Sequence, residues 1–185
     1  MKKAKFSKLL SVGLVFSIAC GGGNKVLITQ SEIDSARSSG SLEKLYSKAS
    51  GLVAESKGSS RKEAVALQSK IANLLIADAG KEIDELIVEA GKEDSQVTRK
   101  QLIVAKDSIT NMQQWSATEY ARYATKIDNA IGDVNKRIDN LIQESNDSGL
   151  DNVSKILKFK QAALLAGEGE EEHVKYQKDY AQAIE

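Results

Sequence analysis

The chain offers few residues that could do chemistry, because it has one histidine and one cysteine. His173 ends the run Glu170-Glu171-Glu172-His173, which contains the Glu-x-x-His spacing of di-iron helical bundles. Such a site needs two of these motifs and two further glutamates, so one histidine cannot complete it. The acids instead suit the positive end of a helix dipole, and we interpret them as a solvated helix start. We therefore expect no metal and no cofactor.

Motifs for other chemistry do not occur either. A serine–histidine–acid triad would have to use His173, and no Gly-x-Ser-x-Gly elbow is present. No glycine-rich phosphate loop is found. After the first 19 residues no basic run exceeds two residues, whereas binding to nucleic acid needs a concentrated basic face. We expect a protein that is not an enzyme and binds no nucleic acid.

The single cysteine, Cys20, stands directly after a segment that resembles an export signal. Residues 1–8 hold four lysines and no acid, and 11 uncharged residues from Leu9 to Ala19 follow them. A basic start, an apolar stretch of this length and a small residue at its end are typical of secretory signals. The stretch is too short to cross a bilayer core, which needs ~20 residues. The other 166 residues carry 22 bases and 26 acids, a net charge of −4.

Together these residues resemble the signal of a bacterial lipoprotein precursor, whose lipobox ends in a cysteine. Ala19 and Cys20 match that pattern, and Ser17 stands where leucine is usual. The resemblance implies cleavage before Cys20, lipid attachment to it and acylation, commonly with palmitate. Gly21 rather than aspartate follows the cysteine, which implies the outer membrane, facing the periplasm. An uncleaved anchor or an ordinary secretory signal is the alternative.

The segments predicted from this reading are a signal peptide over 1–19, a flexible tether over 20–28 and a single α-helical domain over 29–185. Residues that favour helices dominate the range 29–185, and clusters of Gly and Ser separate the helix-forming stretches from one another. Seven helices are predicted, over 30–38, 42–57, 61–90, 96–114, 117–144, 150–166 and 170–184. Gly80 lies inside the third and could bend or split it, since glycine costs ~1 kcal/mol there.

Apolar spacings of three and four residues support helices rather than strands. One such set is Val153, Ile156, Leu157 and Leu164, which shares a helical face. Capping-box patterns mark three helix starts, at Thr29…Glu32, Ser60…Glu63 and Ser116…Glu119. The expected fold class is all-α, a bundle of six to seven helices. Degenerate helical hairpins like tetratricopeptide repeats are an alternative, although the chain has no proline to end such repeats.

A heptad pattern runs through 117–144, with apolar residues separated by four and three positions in turn. A self-paired coiled coil and a helix packed inside one chain both use this pattern. Tyr123, Ala130 and Ile142 widen the apolar stripe beyond a two-stranded seam. We therefore favour a helix packed on two neighbours within the chain.

Aromatic residues are the remaining candidates for a binding site. Trp115, Tyr120 and Tyr123 lie at or just after the junction of two predicted helices. Trp115 could pack on Tyr120 as a hydrophobic staple, which we favour. It could instead be an exposed anchor for a partner, because Trp and Tyr dominate binding hot spots.

The function expected from the sequence is that of a lipid-anchored envelope lipoprotein acting as a scaffold or adaptor. Its partners would be the membrane, through acylated Cys20, and another protein. A surface-exposed helical lipoprotein and a carrier of an apolar ligand are the alternatives.

Overall fold

The computed structural model describes residues 28–179, and all regular elements in that range are helices. The predicted all-α class is confirmed, as packed helices consistent with a multi-helix bundle. The signal peptide, Cys20 and most of the tether lie outside the described residues, as do residues 180–184 of the last predicted helix.

The helices follow the predicted order along the chain. They are α1 (Gln30–Ser38), α2 (Leu42–Glu55), α3 (Gly58–Ala90), α4 (Arg99–Ser108), α5 (Met112–Trp115), α6 (Ala117–Ser145), α7 (Asn152–Ala166) and α8 (Glu171–Asp179). The predicted helix 96–114 is divided, because a 3₁₀ turn at Ile109–Asn111 separates α4 from α5. Ile109 departs from α-helical angles (φ −84°, ψ 2°), whereas Ser108, Asn111 and Met112 around it stay helical, as is common for a short 3₁₀ connector.

The capping contacts at the helix starts agree with the predictions at two positions and differ from them at two others. Thr29 forms the complete predicted capping box with Glu32. Ser116 accepts a hydrogen bond from the backbone N–H of Glu119 at 3.3 Å, as predicted for one half of its box. Ser60 was wrong as a cap, because α3 already begins at Gly58 and includes it. Thr98 forms a complete capping box with Gln101, which was not predicted because the expected pattern had a glutamate at that position.

The contacts divide the chain into two compact units, Met1–Leu75 and Ile76–Glu185. The single domain over 29–185 therefore stays a prediction. In the first unit, α1, α2 and the start of α3 bury a small apolar core that includes Ile33, Ala49 and Ile71. Polar bonds join its elements, such as Lys48 to Glu32 at 3.2 Å and Gln68 to Ser50 at 2.9 Å.

The second unit is centred on α6, which packs against α4, α5 and α7. Ile127, Val134 and Ile138 of the heptad pattern are at most 1% exposed, and the other heptad positions pack against the same core. The prediction of a helix packed within the chain is thus confirmed. Within residues 28–179 no helix combines the length and the apolar character needed to cross a bilayer.

The buried face of α7 is not the face that its large apolar residues predicted. Val153, Leu157 and Leu164 do share one face, but that face is exposed. The buried face consists of small residues and one aromatic ring, namely Phe159, Ala162, Ala163 and Ala166. Small side chains let the neighbouring helices approach closely, so the larger residues are left outside.

Candidate functional site

The three predicted aromatic site residues lie around the start of α6. The chain turns at Ser116, whose backbone is extended (φ −160°, ψ 110°), between α5 and α6. Trp115 and Tyr120 are half-buried and pack against the same core cluster. This position agrees with the structural role favoured for Trp115, and part of each ring remains at the surface.

Tyr123 belongs to the interior, since it is 6% exposed. Its ring fills the space beside Gly80, where a Cβ atom would lie 2.1 Å from the hydroxyl oxygen of Tyr123. Arg122 and Lys126 place their charged groups 4.5 and 5.1 Å from the ring centroid. The ring therefore offers little surface to a partner, and of the three predicted residues only Trp115 and Tyr120 are accessible. The sequence signal for this contact was Gly80 itself, a glycine inside an otherwise continuous helix.

A second group of polar residues comes together where α4 begins, and the sequence analysis did not connect them. Arg99 donates two hydrogen bonds to the carboxylate of Glu172, at 3.0 and 2.7 Å, and one to Glu170 at 2.8 Å. A longer bond of 3.4 Å reaches Asn135 on α6. Lys100 donates to the carbonyl oxygen of Glu168 at 2.5 Å. We call Arg99, Glu170 and Glu172 the Arg99 clamp.

The Arg99 clamp is only partly open to solvent, with side-chain exposures of 18% for Arg99, 27% for Glu170 and 19% for Glu172. Glu171 and Glu172 do lie in the first turn of α8, as predicted for a helix start, but Glu170 and Glu172 are held by Arg99 and are not fully solvated. Because Arg99 lies 71 positions before Glu170 and 73 before Glu172, spacing along the chain gave no sign of the pairing.

The ion pair also shifts the pKa values of Arg99 and Glu172. Hydrogen bonds to Glu172 raise the pKa of Arg99 above its ordinary value, and burial opposes this while Glu170 adds to it. Burial by itself would raise the pKa of Glu172, but the hydrogen bonds and charge of Arg99 outweigh it, with help from a backbone bond. The net pKa of Glu172 is lowered. Such an arrangement stabilises the charged forms of Arg99 and Glu172.

His173 follows the clamp, and its Nδ1 atom is buried with no hydrogen-bond partner. The Glu-x-x-His spacing does not gather further ligands around it. Among the described residues, no three histidine, cysteine, aspartate or glutamate side chains lie close enough together to hold a metal ion.

The outer face of α7 and a groove beside it are two further surface features. Val153, Leu157 and Leu164 are 59%, 44% and 52% exposed. The groove has a volume of about 470 Å³ and meets this face at Leu164. Three leucines contribute to its walls, and the other lining residues are polar or charged: Glu93, Asp94, Ser95, Gln96, Arg137, Asn140 and Gln161. Such a lining does not resemble the enclosed apolar cavity that a lipid carrier needs.

Comparison of the chain with protein-family models, with curated proteins and with solved structures finds no match in any of the three.

Proposed function

We propose that the protein is a bacterial lipoprotein, anchored in the outer membrane through lipid on Cys20, and that its helices form a non-enzymatic scaffold or adaptor for another protein. The observation that carries the anchor is the position of Cys20. The chain has one cysteine, and it stands where the basic and apolar leader ends. Two or more acyl chains hold a protein stably on a membrane, whereas one holds it only marginally.

The adaptor part of the proposal rests on the helical surface. Trp115 and Tyr120 keep part of their rings at the surface of the second unit, and such residues contribute strongly to protein interfaces. The polar groups brought together by the fold form structural ion pairs, as the Arg99 clamp illustrates. These observations favour binding over catalysis.

Metabolic labelling with palmitate tests the anchor. The natural chain should incorporate label and remain with membranes after a carbonate wash. Cys20→Ser should lose the label and the membrane association together. Gly21→Ala, which leaves the cysteine in place, is the matched control and should behave like the natural chain. Equal labelling of Cys20→Ser and the natural chain would refute the anchor.

Photo-crosslinking in intact cells tests the adaptor. A photoreactive amino acid at Trp115 or Tyr120 should give one recurring protein adduct. The same group at Val65, 42% exposed on α3, is the control and should not give it. Absence of a specific adduct at positions 115 and 120 would contradict binding there. Protease added to whole cells separates the two membrane sides, because only a surface-exposed domain is digested.

A further inference from the structure

α8 is joined to the rest of the second unit through a segment with unusual backbone angles. Gly167 has φ +104° and Gly169 has φ +85°, a region that residues with a side chain rarely adopt. Gly167 also lies close to the start of α4, because a Cβ atom there would be 2.9 Å from Cβ of Lys100 and 3.1 Å from Oγ1 of Thr98. Two glycines that tolerate large backbone changes therefore flank Glu168, directly before α8.

The contacts of α8 are of two separate kinds. At its start, the Arg99 clamp and the bond from Lys100 to the Glu168 carbonyl fasten it to α4. Along its length, Tyr176 packs with Phe159 and Ala163 of α7 in a second apolar cluster, which meets the main core through the half-buried Ile142 of α6. α8 thus covers one side of α7, while the other side of α7 faces the main core of the unit.

Neighbouring residues of α7 show this separation clearly. Ala162 and Ala163 are both 0% exposed. Ala162 belongs to the main core cluster, whereas Ala163 belongs to the cluster beneath α8. Removing α8 would therefore expose Ala163 and Phe159 and leave Ala162 buried.

Two features limit how firmly α8 is held. Its fastening at the start is electrostatic and partly exposed, so salt weakens it. The packing of α8 also buries Nδ1 of His173 without a hydrogen-bond partner. That atom would regain a hydrogen bond to water when α8 detaches.

We propose that α8 is a detachable cover: it swings out at Gly167 and Gly169 and exposes Phe159 and Ala163 on α7, and the Arg99 clamp sets how often it does so. The motion is a local opening, separate from unfolding of the rest of the unit. It goes beyond the proposed function and does not depend on the lipid anchor or on a partner. Its test can therefore succeed or fail independently of theirs.

Thiol labelling of the full chain measures this opening. In a Cys20→Ser background, Ala163→Cys and Ala162→Cys each carry a single thiol on the same helix. Under an excess of maleimide, Ala163→Cys should react at least about ten times faster than Ala162→Cys, since local opening needs less free energy than global unfolding. Adding Arg99→Gln should speed the reaction at position 163 several-fold, because the clamp is broken whenever α8 is out. Global unfolding breaks the clamp as well, so position 162 should accelerate by a similar factor and remain the slower of the two. High salt should act in the same direction.

A second variant separates the clamp from general destabilisation. Arg137 also donates hydrogen bonds between elements of this unit, to the carbonyl oxygens of Ala90 and Glu93, at 3.1 and 3.0 Å. Arg137→Gln should speed the reaction at position 162, which needs global unfolding, and leave the reaction at position 163 unchanged, because these bonds persist while α8 is out. Equal rates at positions 162 and 163 would overturn the proposal. So would a reaction at position 163 that Arg99→Gln leaves unchanged, or that Arg137→Gln accelerates as much as it accelerates position 162.

Discussion

Gly80 of α3 and Tyr123 of α6 lie so close together that a Cβ atom on Gly80 would be 2.1 Å from the Tyr123 hydroxyl oxygen and 2.5 Å from Cζ. Both residues are buried. The helix does not end at the glycine, because α3 continues to Ala90. The missing side chain is what gives the tyrosine ring its place.

Gly80→Ala should lower the free energy of unfolding by about 1–2 kcal/mol, because overpacking outweighs the better helix propensity of alanine. Gly132→Ala is the matched control. A Cβ atom at Gly132 on α6 meets nothing within 4 Å, so this change should stabilise the protein by up to about 1 kcal/mol. Urea denaturation of the two variants measures the difference. Stabilisation by both substitutions would mean that the close contact has no energetic cost.

The contact can also be isolated with a double-mutant cycle. Tyr123→Leu removes the atoms that an alanine at position 80 would strike, although it destabilises the protein by itself. The loss caused by Gly80→Ala should then be smaller in the Tyr123→Leu background than in the natural chain. Additive losses would contradict a direct clash between the two positions.

Acid should weaken the second unit through the Arg99 clamp. The pKa of Glu172 is lower in the folded protein than in the unfolded chain, so its ion pair contributes full stability above the unfolded pKa, about 4.3. That contribution is lost as the pH falls through the lower folded pKa. The natural chain should therefore lose stability on acidification from pH 5 to pH 3 more steeply than Glu172→Gln. Parallel curves of melting temperature against pH would contradict this.

Arg99→Gln tests the same ion pair near neutral pH. It leaves two partly buried carboxylates without their cation, and we expect a loss of about 1–2 kcal/mol in the free energy of unfolding. The matched control is Lys136→Gln, whose ion pair with Asp133 is more than 70% exposed on both sides and should contribute little. Chemical denaturation at pH 7 compares them. Equal effects would argue against the clamp.

The first unit should depend on its capping threonine and not on Ser60. Thr29→Ala removes both directions of the box with Glu32 and should cost about 1 kcal/mol. Ser60 lies inside α3, where alanine is the better helix former, so Ser60→Ala should be neutral or slightly stabilising. Thermal melts of the two variants provide the measurement. A loss at Ser60 as large as that at Thr29 would mean that α3 starts later than Gly58.

Trp115 allows the structural and binding roles to be separated. Trp115→Ala should lower the melting temperature, because the half-buried ring packs on the main core. Trp115→Phe should retain most of that stability. If Trp115 also anchors a partner, Trp115→Phe should reduce crosslinking through Tyr120 at unchanged stability. A partner captured equally well by both variants and the natural chain would leave Trp115 with its packing role alone.

Local signals in the sequence predicted the helices and most of their boundaries, because caps and apolar spacing act within a few residues. They did not predict which face of α7 is buried: large residues at helical spacing pointed to Val153, Leu157 and Leu164, and close helix packing selected the alanines. The Arg99 clamp could not be predicted for a related reason. Arg99 and Glu172 meet only after the helices pack, and neither residue type nor spacing marks such a pair beforehand.

The small-residue face of α7 bears on how distant relatives could be found. A larger side chain at Ala162, Ala163 or Ala166 would push helices apart, whereas the exposed positions of α7 are free to vary. Over long divergence, the pattern Phe-x-x-Ala-Ala-x-x-Ala-Gly over residues 159–167 should change more slowly than the surrounding sequence. In a chain made largely of common helix-forming residues, the five fixed positions of this pattern are a useful signature for recognising related proteins.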